Sequence, residues 1–103
     1  MGKEGEVGKV TTIKDGRKIV TAAATRETLV ASSTPAKLVL ITAKTNNTGV
    51  IVVGGSTVIA LLATRRGTPL LAGDSVLLEV DDLLDVYLDT TVDGDGVTYA
   101  YLT

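Results

Sequence analysis

The sequence predicts an all-β fold, an antiparallel β-sandwich or jelly-roll-like barrel of about seven to eight short strands. Short apolar or alternating runs are separated by turn-forming residues about every 8 to 12 residues, a spacing typical of such folds. Sixteen threonines, a residue type that favours strands, lie largely in or beside these runs. No stretch has the period of a long amphipathic helix. The 103-residue chain is therefore predicted to hold a flexible arm at residues 1–8 and one sandwich domain at residues 9–103.

The first two strands are predicted to form a hairpin. Residues 10–14 and 17–21 flank Asp15-Gly16, a pair that favours a tight type I′ turn because both turn residues need positive φ. A short strand at residues 28–30 follows, and a turn at residues 32–35 closes it.

The middle of the chain carries strands that are apolar on both faces. Residues 38–43 and 50–53 have this pattern, and residues 58–63 are apolar again after a strand break at residues 54–56. A strand of this kind is either enclosed in a core or packed on another subunit. Because one small core is not expected to bury all three runs, the pattern predicts an apolar interface with another protein.

The C-terminal part is predicted as a helical turn followed by two strands. Asp81 and Asp82 stand at the start of the turn at residues 81–85, where aspartates cap helices. Residues 86–92 alternate, which predicts that Asp89 points outward. Residues 93–96 are predicted as a second hairpin turn that joins this strand to residues 97–102.

The two residue types that most often supply a general base, a thiolate or a zinc ligand are missing. The chain has no histidine and no cysteine, so the commonest general base, thiolates and the commonest zinc ligands are absent. The aspartates of residues 81–95 resemble a calcium loop only at residues 93–96, without the remaining ligands of an EF-hand. We therefore expect no enzyme activity, no catalytic residue, no cofactor and no metal.

Charge and composition disfavour other partner classes. The net charge is −2 with no basic face, and three tyrosines are the only aromatics, so nucleic acid is not an expected partner. No apolar run approaches the roughly 20 residues of a membrane helix, and the charged N-terminus lacks a signal-peptide core, which together predict a soluble protein made in a cytoplasm. Glutamine is absent and asparagine is rare, and depletion of these thermolabile residues is one mark of thermostable proteins. The dense Lys/Glu networks that are a second such mark are lacking.

Other proteins remain as the expected partners. Arg65-Arg66 is the only pair of adjacent basic residues in a predicted loop, and it is either solvated there or a contact to an acidic partner surface. The terminal arm is either a frayed end or a segment that orders on a neighbouring subunit. The candidate partner-binding residues combine the arm, the apolar strands and this loop: Lys3, Glu4, Val7, Val50, Val52, Leu61, Arg65 and Arg66.

Six segments of the chain have a familiar pattern: TRETL at 25–29, STPAKLVLI at 33–41, NTGVIVVGGSTV at 47–58, LLAGDSV at 70–76, DDLLDVYLD at 81–89 and GVTYAY at 96–101. Through these segments, residues 20 to 102 resemble the small β-sandwich virion proteins of tailed bacteriophages. They consist mostly of strand and turn residues, so they specify fold better than function.

The resemblance implies a structural role in a virion. The expected function is that of a capsid decoration protein, a homotrimer that binds the major capsid protein on the outside of the assembled head and is itself made in the host cytoplasm. The alternative is a tail, fibre or baseplate module that binds a host receptor or glycan, with a site around Tyr87, Tyr99 and Tyr101.

Overall fold

The computed structural model describes residues 11–103, and within them it is a β-sandwich of two four-stranded antiparallel sheets. The strands in chain order are β1 (Ile13–Ile19), β2 (Glu27–Thr28), β3 (Leu38–Ala43), β4 (Ile51–Gly54), β5 (Thr68–Leu70), β6 (Ser75–Glu79), β7 (Tyr87–Thr90) and β8 (Gly96–Leu102). Sheet A has the order β1-β8-β3-β6 and sheet B the order β2-β7-β4-β5. The predicted all-β antiparallel sandwich is confirmed. The predicted arm at residues 1–8 lies outside the described residues.

The main core fills the space between the two sheets. In β3 the side chains of Val39, Ile41 and Ala43 are fully buried, as the alternation of a strand requires. They pack with Ile51 of β4 and Leu88 of β7 from the opposite sheet. No helix among residues 11–103 has the length and apolarity needed to cross a membrane.

A second, smaller cluster lies on the other face of sheet B. Residues 55–67, which we call the flap, fold back over β4 and place Val58 and Ala60 against Val52. Ile59 and Arg66 exchange two backbone hydrogen bonds of 3.0 and 2.9 Å within the flap. The flap contains a 3₁₀ turn at Leu62–Thr64, so the apolar run at residues 58–63 does not form the sheet strand that its pattern predicts.

The predicted first hairpin is wrong, because Asp15 and Gly16 lie in the middle of β1. Gly16 pairs with Tyr99 of β8, and a Cβ atom at Gly16 would lie 2.5 Å from the Tyr99 Oη. The glycine therefore makes room for a tyrosine ring on the neighbouring strand, and it does not have the positive φ of a type I′ turn.

The predicted second hairpin is also wrong. The predicted turn lies where residues 91–95 join β7 in sheet B to β8 in sheet A, so these residues form a connection between the sheets. Val20 fixes this connection by donating to the Asp95 carbonyl and accepting from the Gly94 N–H, both at 2.9 Å. The buried Asp95 carboxylate accepts hydrogen bonds from the N–H groups of Thr48 and Gly49, which ties the connection to the turn before β4.

The predicted helical turn is confirmed as a 3₁₀ turn at Leu83–Asp85 with Asp82 as its N-cap. The Asp82 carboxylate accepts hydrogen bonds from the Ser33 hydroxyl at 2.5 Å, the Thr34 N–H at 2.8 Å and the Leu84 N–H at 2.9 Å. These bonds, that of Ser33 first, hold the pKa of Asp82 below its ordinary value of 3.8.

Gly67 sets the position at which the flap returns to β5. Its φ is +109°, and a Cβ atom there would lie 2.7 Å from a Val52 methyl and 2.9 Å from the Val53 carbonyl oxygen. We expect Gly67→Ala to lower the free energy of unfolding by at least about 3 kcal/mol, from backbone strain and overpacking together. Gly73→Ala is the control, because its φ of +85° is strained but its surroundings are open. Urea unfolding should give it a cost of about 1–2 kcal/mol; equal costs for the two variants would contradict this account.

Acid titration tests the cap at Asp82. Since its folded pKa is lowered, the ionised carboxylate favours the folded state above its ordinary pKa of 3.8, and this contribution is lost as pH falls through the lowered folded value. We expect Ser33→Ala to raise the pKa of Asp82 toward 3.8 in a carboxyl ¹³C NMR titration. Thr34→Ala keeps the backbone donor and should leave the pKa lowered. An unchanged pKa in Ser33→Ala would show that the hydroxyl is not the main cause.

Candidate protein-binding surface

The face of sheet A that points away from the core carries several exposed large apolar side chains. In β3 the outward side chains are Leu38, Leu40 and Thr42, because Val39 and Ile41 point into the core. The register brings further apolar side chains beside them. Leu40 lies between Leu77 of β6 and Ala100 of β8.

A second row of apolar side chains lies next to the first. Leu38 pairs with Leu102 of β8, and Leu102 pairs with Ile13 of β1 on its other side. We call the two rows together the sheet-A patch; its members are Ile13, Leu38, Leu40, Leu77, Ala100 and Leu102. Ile13 is 73% exposed, Leu77 59% and Leu40 43%, so the patch presents large apolar side chains to solvent.

Polar and charged side chains border the sheet-A patch. Thr42 and Ser75 lie side by side with their hydroxyl oxygens 2.7 Å apart. Asp15 stands at the β1 end of the Leu40 row, and Glu79 stands beside Leu38 on β6. An apolar centre with a polar rim is the usual composition of a protein–protein interface.

Sheet B offers no comparable face, because the flap covers it. Asp89 of β7 accepts hydrogen bonds from the Ala60 N–H at 2.8 Å and the Thr90 N–H at 2.9 Å. The Arg26 guanidinium donates to the Val58 carbonyl at 2.8 Å. Asp89 lies on the outward face as its position predicts, but it is only 3% exposed, because the flap lies over it.

The flap corrects part of the predicted partner surface. Val52 is fully buried beneath Val58 and Ala60, so it cannot contact a partner while the flap is closed. Val50 is half-buried at the margin of the same cluster. The apolar outer face of β4 is therefore covered by the chain's own flap and not by the partner protein that the sequence pattern predicts.

The flap exposes two of the three predicted partner-binding residues that it contains and half-buries the third. Leu61 is 61% exposed beside the 3₁₀ turn. Arg66 is exposed, although its backbone is bonded to Ile59. Arg65 is half-buried and donates to the Ala60 carbonyl at 2.9 Å, which gives it a role within the flap. Lys3, Glu4 and Val7 lie outside the described residues.

The sequence pattern marked residues 38–43 as apolar on both faces, and for this strand the second face is indeed open. It did not single out Leu40, Leu77 or Ile13. The alternation in β3 and β6 identifies their faces, but the β1-β8-β3-β6 order that brings them together is long-range and leaves no local signal.

Four of the aspartates between residues 81 and 95 accept hydrogen bonds from backbone N–H groups. Asp93 accepts from the Ala23 N–H at 2.6 Å, and Asp82, Asp89 and Asp95 each accept two or more hydrogen bonds. Within residues 11–103 no three side chains of His, Cys, Asp or Glu are grouped so that they could hold a metal ion.

The tyrosines do not form an exposed aromatic platform. Tyr99 and Tyr101 are half-buried against the main core, with ring centroids 6.0 Å apart. Burial, with smaller effects of Tyr101 and Asp15, raises the pKa of Tyr99 above its ordinary value. Tyr87 packs against the flap cluster.

Comparisons with protein-family models, with curated proteins and with solved structures find no match to this chain.

Removal of the Asp89 carboxylate tests whether it holds the flap closed. Asp89→Ala leaves the Ala60 and Thr90 N–H groups without their acceptor, at a cost of about 1–3 kcal/mol for each buried group. We expect the Ala60 amide to exchange its hydrogen much faster in the variant than in the parent protein. Asp74→Ala is the control, because Asp74 accepts a comparable bond from the Leu71 N–H at an exposed turn. Equal exchange at Ala60 in the parent and Asp89→Ala would contradict the assignment.

Proposed function

We propose that this chain is a virion structural protein of a tailed phage, a capsid decoration protein that binds the assembled head shell through the sheet-A patch. The observation that carries the proposal is the open apolar face of sheet A beside a sheet B whose outer face the chain covers itself. A protein that buries one outer face and leaves the other apolar and exposed is suited to docking on another protein. The sequence resemblance supports a phage shell as the identity of that protein.

Burial of the sheet-A patch supplies the binding energy in this proposal. Leu40 and Leu77 form its centre, and complete burial of a leucine contributes about 1.5–3 kcal/mol. The rim of Thr42, Ser75 and Glu79 supplies the polar contacts that orient the docked protein.

Stabilisation of the shell follows from selective binding. A ligand that binds the assembled shell and not the separate subunits shifts the equilibrium toward the shell by mass action. The partner is the major capsid protein in its assembled form. The site of action is the outside of the virion, and assembly takes place in the host cytoplasm.

The alternative, a tail, fibre or baseplate module that binds a host receptor or glycan, has no specific support in residues 11–103. A glycan site usually has exposed aromatic side chains, whereas Tyr99 and Tyr101 are half-buried against the main core and Tyr87 packs against the flap cluster.

Co-pelleting with capsids tests the proposal. Purified full-length chain is mixed with mature capsids stripped of this protein, prepared from the virus that encodes it, and separately with their unassembled subunits. We expect saturable binding to capsids only, and a loss of at least about tenfold in affinity for Leu40→Glu, which introduces a charge at the centre of the contact.

The matched control is Leu62→Glu, the same change at a residue of the flap that is also exposed. Its binding should equal that of the parent protein. Failure of the parent protein to bind capsids, or equal losses in the two variants, would contradict the proposal.

A further inference from the structure

The outer edge of sheet A is formed by β1, and its backbone hydrogen-bonding groups on that side have no partner in residues 11–103. Val20 directs its N–H and C=O toward the β8 side, and the Thr12 carbonyl accepts from the Thr103 N–H on the same side. Successive residues of a strand alternate in direction, so the even-numbered residues of β1 bond to β8. The odd-numbered residues, Ile13, Asp15, Arg17 and Ile19, therefore point their backbone groups away from the sheet.

The side chains of these odd-numbered residues form a self-complementary pattern about Gly16. The strand reads Ile-Lys-Asp-Gly-Arg-Lys-Ile, so an antiparallel second copy centred on Gly16 brings Asp15 opposite the Arg17 of that copy. The same register brings Ile13 opposite Ile19. These four positions are also those that offer hydrogen bonds, so the pairing would form about eight backbone bonds together with two ionic and two apolar cross-strand pairs.

Other antiparallel registers do not preserve this pattern. A two-fold axis at Asp15 sets two aspartates opposite each other, and an axis at Arg17 sets two arginines opposite each other. Like charges directly opposite destabilise a strand pair. Charged edge strands usually prevent pairing in general; in β1 the register centred on Gly16 is the one that sets both Asp15 and Arg17 opposite a residue of opposite charge.

The side chains on the inner face of β1 add only a weak repulsion in this register. The register brings Lys14 opposite the Lys18 of the second copy, but the Lys18 ammonium already binds the Glu27 carboxylate of β2 at 2.8 Å. The lysine is the main cause that lowers the pKa of Glu27, so the carboxylate stays ionised and offsets the charge of Lys18. Lys14 is exposed and its long side chain can extend into solvent.

We infer that two copies of this chain associate through β1 about a two-fold axis at Gly16. The product is a continuous eight-stranded sheet in which the sheet-A patches of both copies lie on one surface, with the Ile13–Ile19 pairs between them. A two-fold pair differs from the trimer that the resemblance implies, and the two have different masses. The association does not depend on the proposed function, since it involves this chain alone.

Sedimentation velocity of the purified full-length chain tests the inference. We expect the parent protein to sediment as a dimer, with twice the monomer mass of 10.6 kDa. Arg17→Asp and Asp15→Arg each set like charges opposite one another at two symmetric places, which should weaken the dimer by about tenfold or more. The double variant Asp15→Arg/Arg17→Asp restores opposite charges in the same register, so it should recover the parent dissociation constant.

The control for net charge is Arg66→Asp, which makes the same charge change on the flap, and it should remain a dimer. Circular dichroism confirms that each variant keeps the strand spectrum of the parent before its mass is compared. A monomeric or trimeric parent protein would overturn the inference, as would a folded double variant that stays as weak as the single variants. Capsid binding is measured separately, so loss of the dimer and loss of the proposed function are distinguishable.

Discussion

The anchoring of the flap by Asp89 determines which surfaces of this molecule are open. The Asp89 carboxylate accepts a hydrogen bond from the Ala60 N–H, and the Arg26 guanidinium donates one to the Val58 carbonyl. These two bonds hold the flap in place. With the flap closed, Val52 becomes a core residue of a small second cluster. Sheet B is then covered on both faces, and sheet A is the only sheet in residues 11–103 that presents an apolar face to solvent.

The two interaction features argued above belong to the same sheet. The sheet-A patch lies on its outer face, and the open edge of β1 lies at its side. Ile13 belongs to both, since its side chain extends the patch while its backbone faces the open edge. Edge pairing therefore enlarges the apolar surface without covering it, so a pair of chains can still use that surface to dock on a larger assembly.

The fold class and some of the strands were predictable because they depend on local pattern. The alternation of β3, the cap at Asp82 and the break after Gly54 were all read from neighbouring residues. The two Asp-Gly segments were misread because the same residues serve a different need: Gly16 admits the Tyr99 ring, and Asp95 ties a connection between sheets. The patch on sheet A follows from long-range strand order. The cover over β4 depends on hydrogen bonds of the flap to Asp89 and Arg26, which lie 29 and 32 residues away in the chain. Local sequence pattern signals neither.

Solvent paramagnetic relaxation of methyl groups tests whether the outer face of sheet B is covered by the chain while that of sheet A is open. A soluble, neutral relaxation agent enhances relaxation only for methyl groups that it can approach. We expect strong enhancement for the methyl groups of Ile13, Leu40 and Leu77, and little for those of Val52 and Val58. Enhancement of Val52 equal to that of Leu40 would contradict this expectation, because the flap would then be open and sheet B would present an apolar face as well.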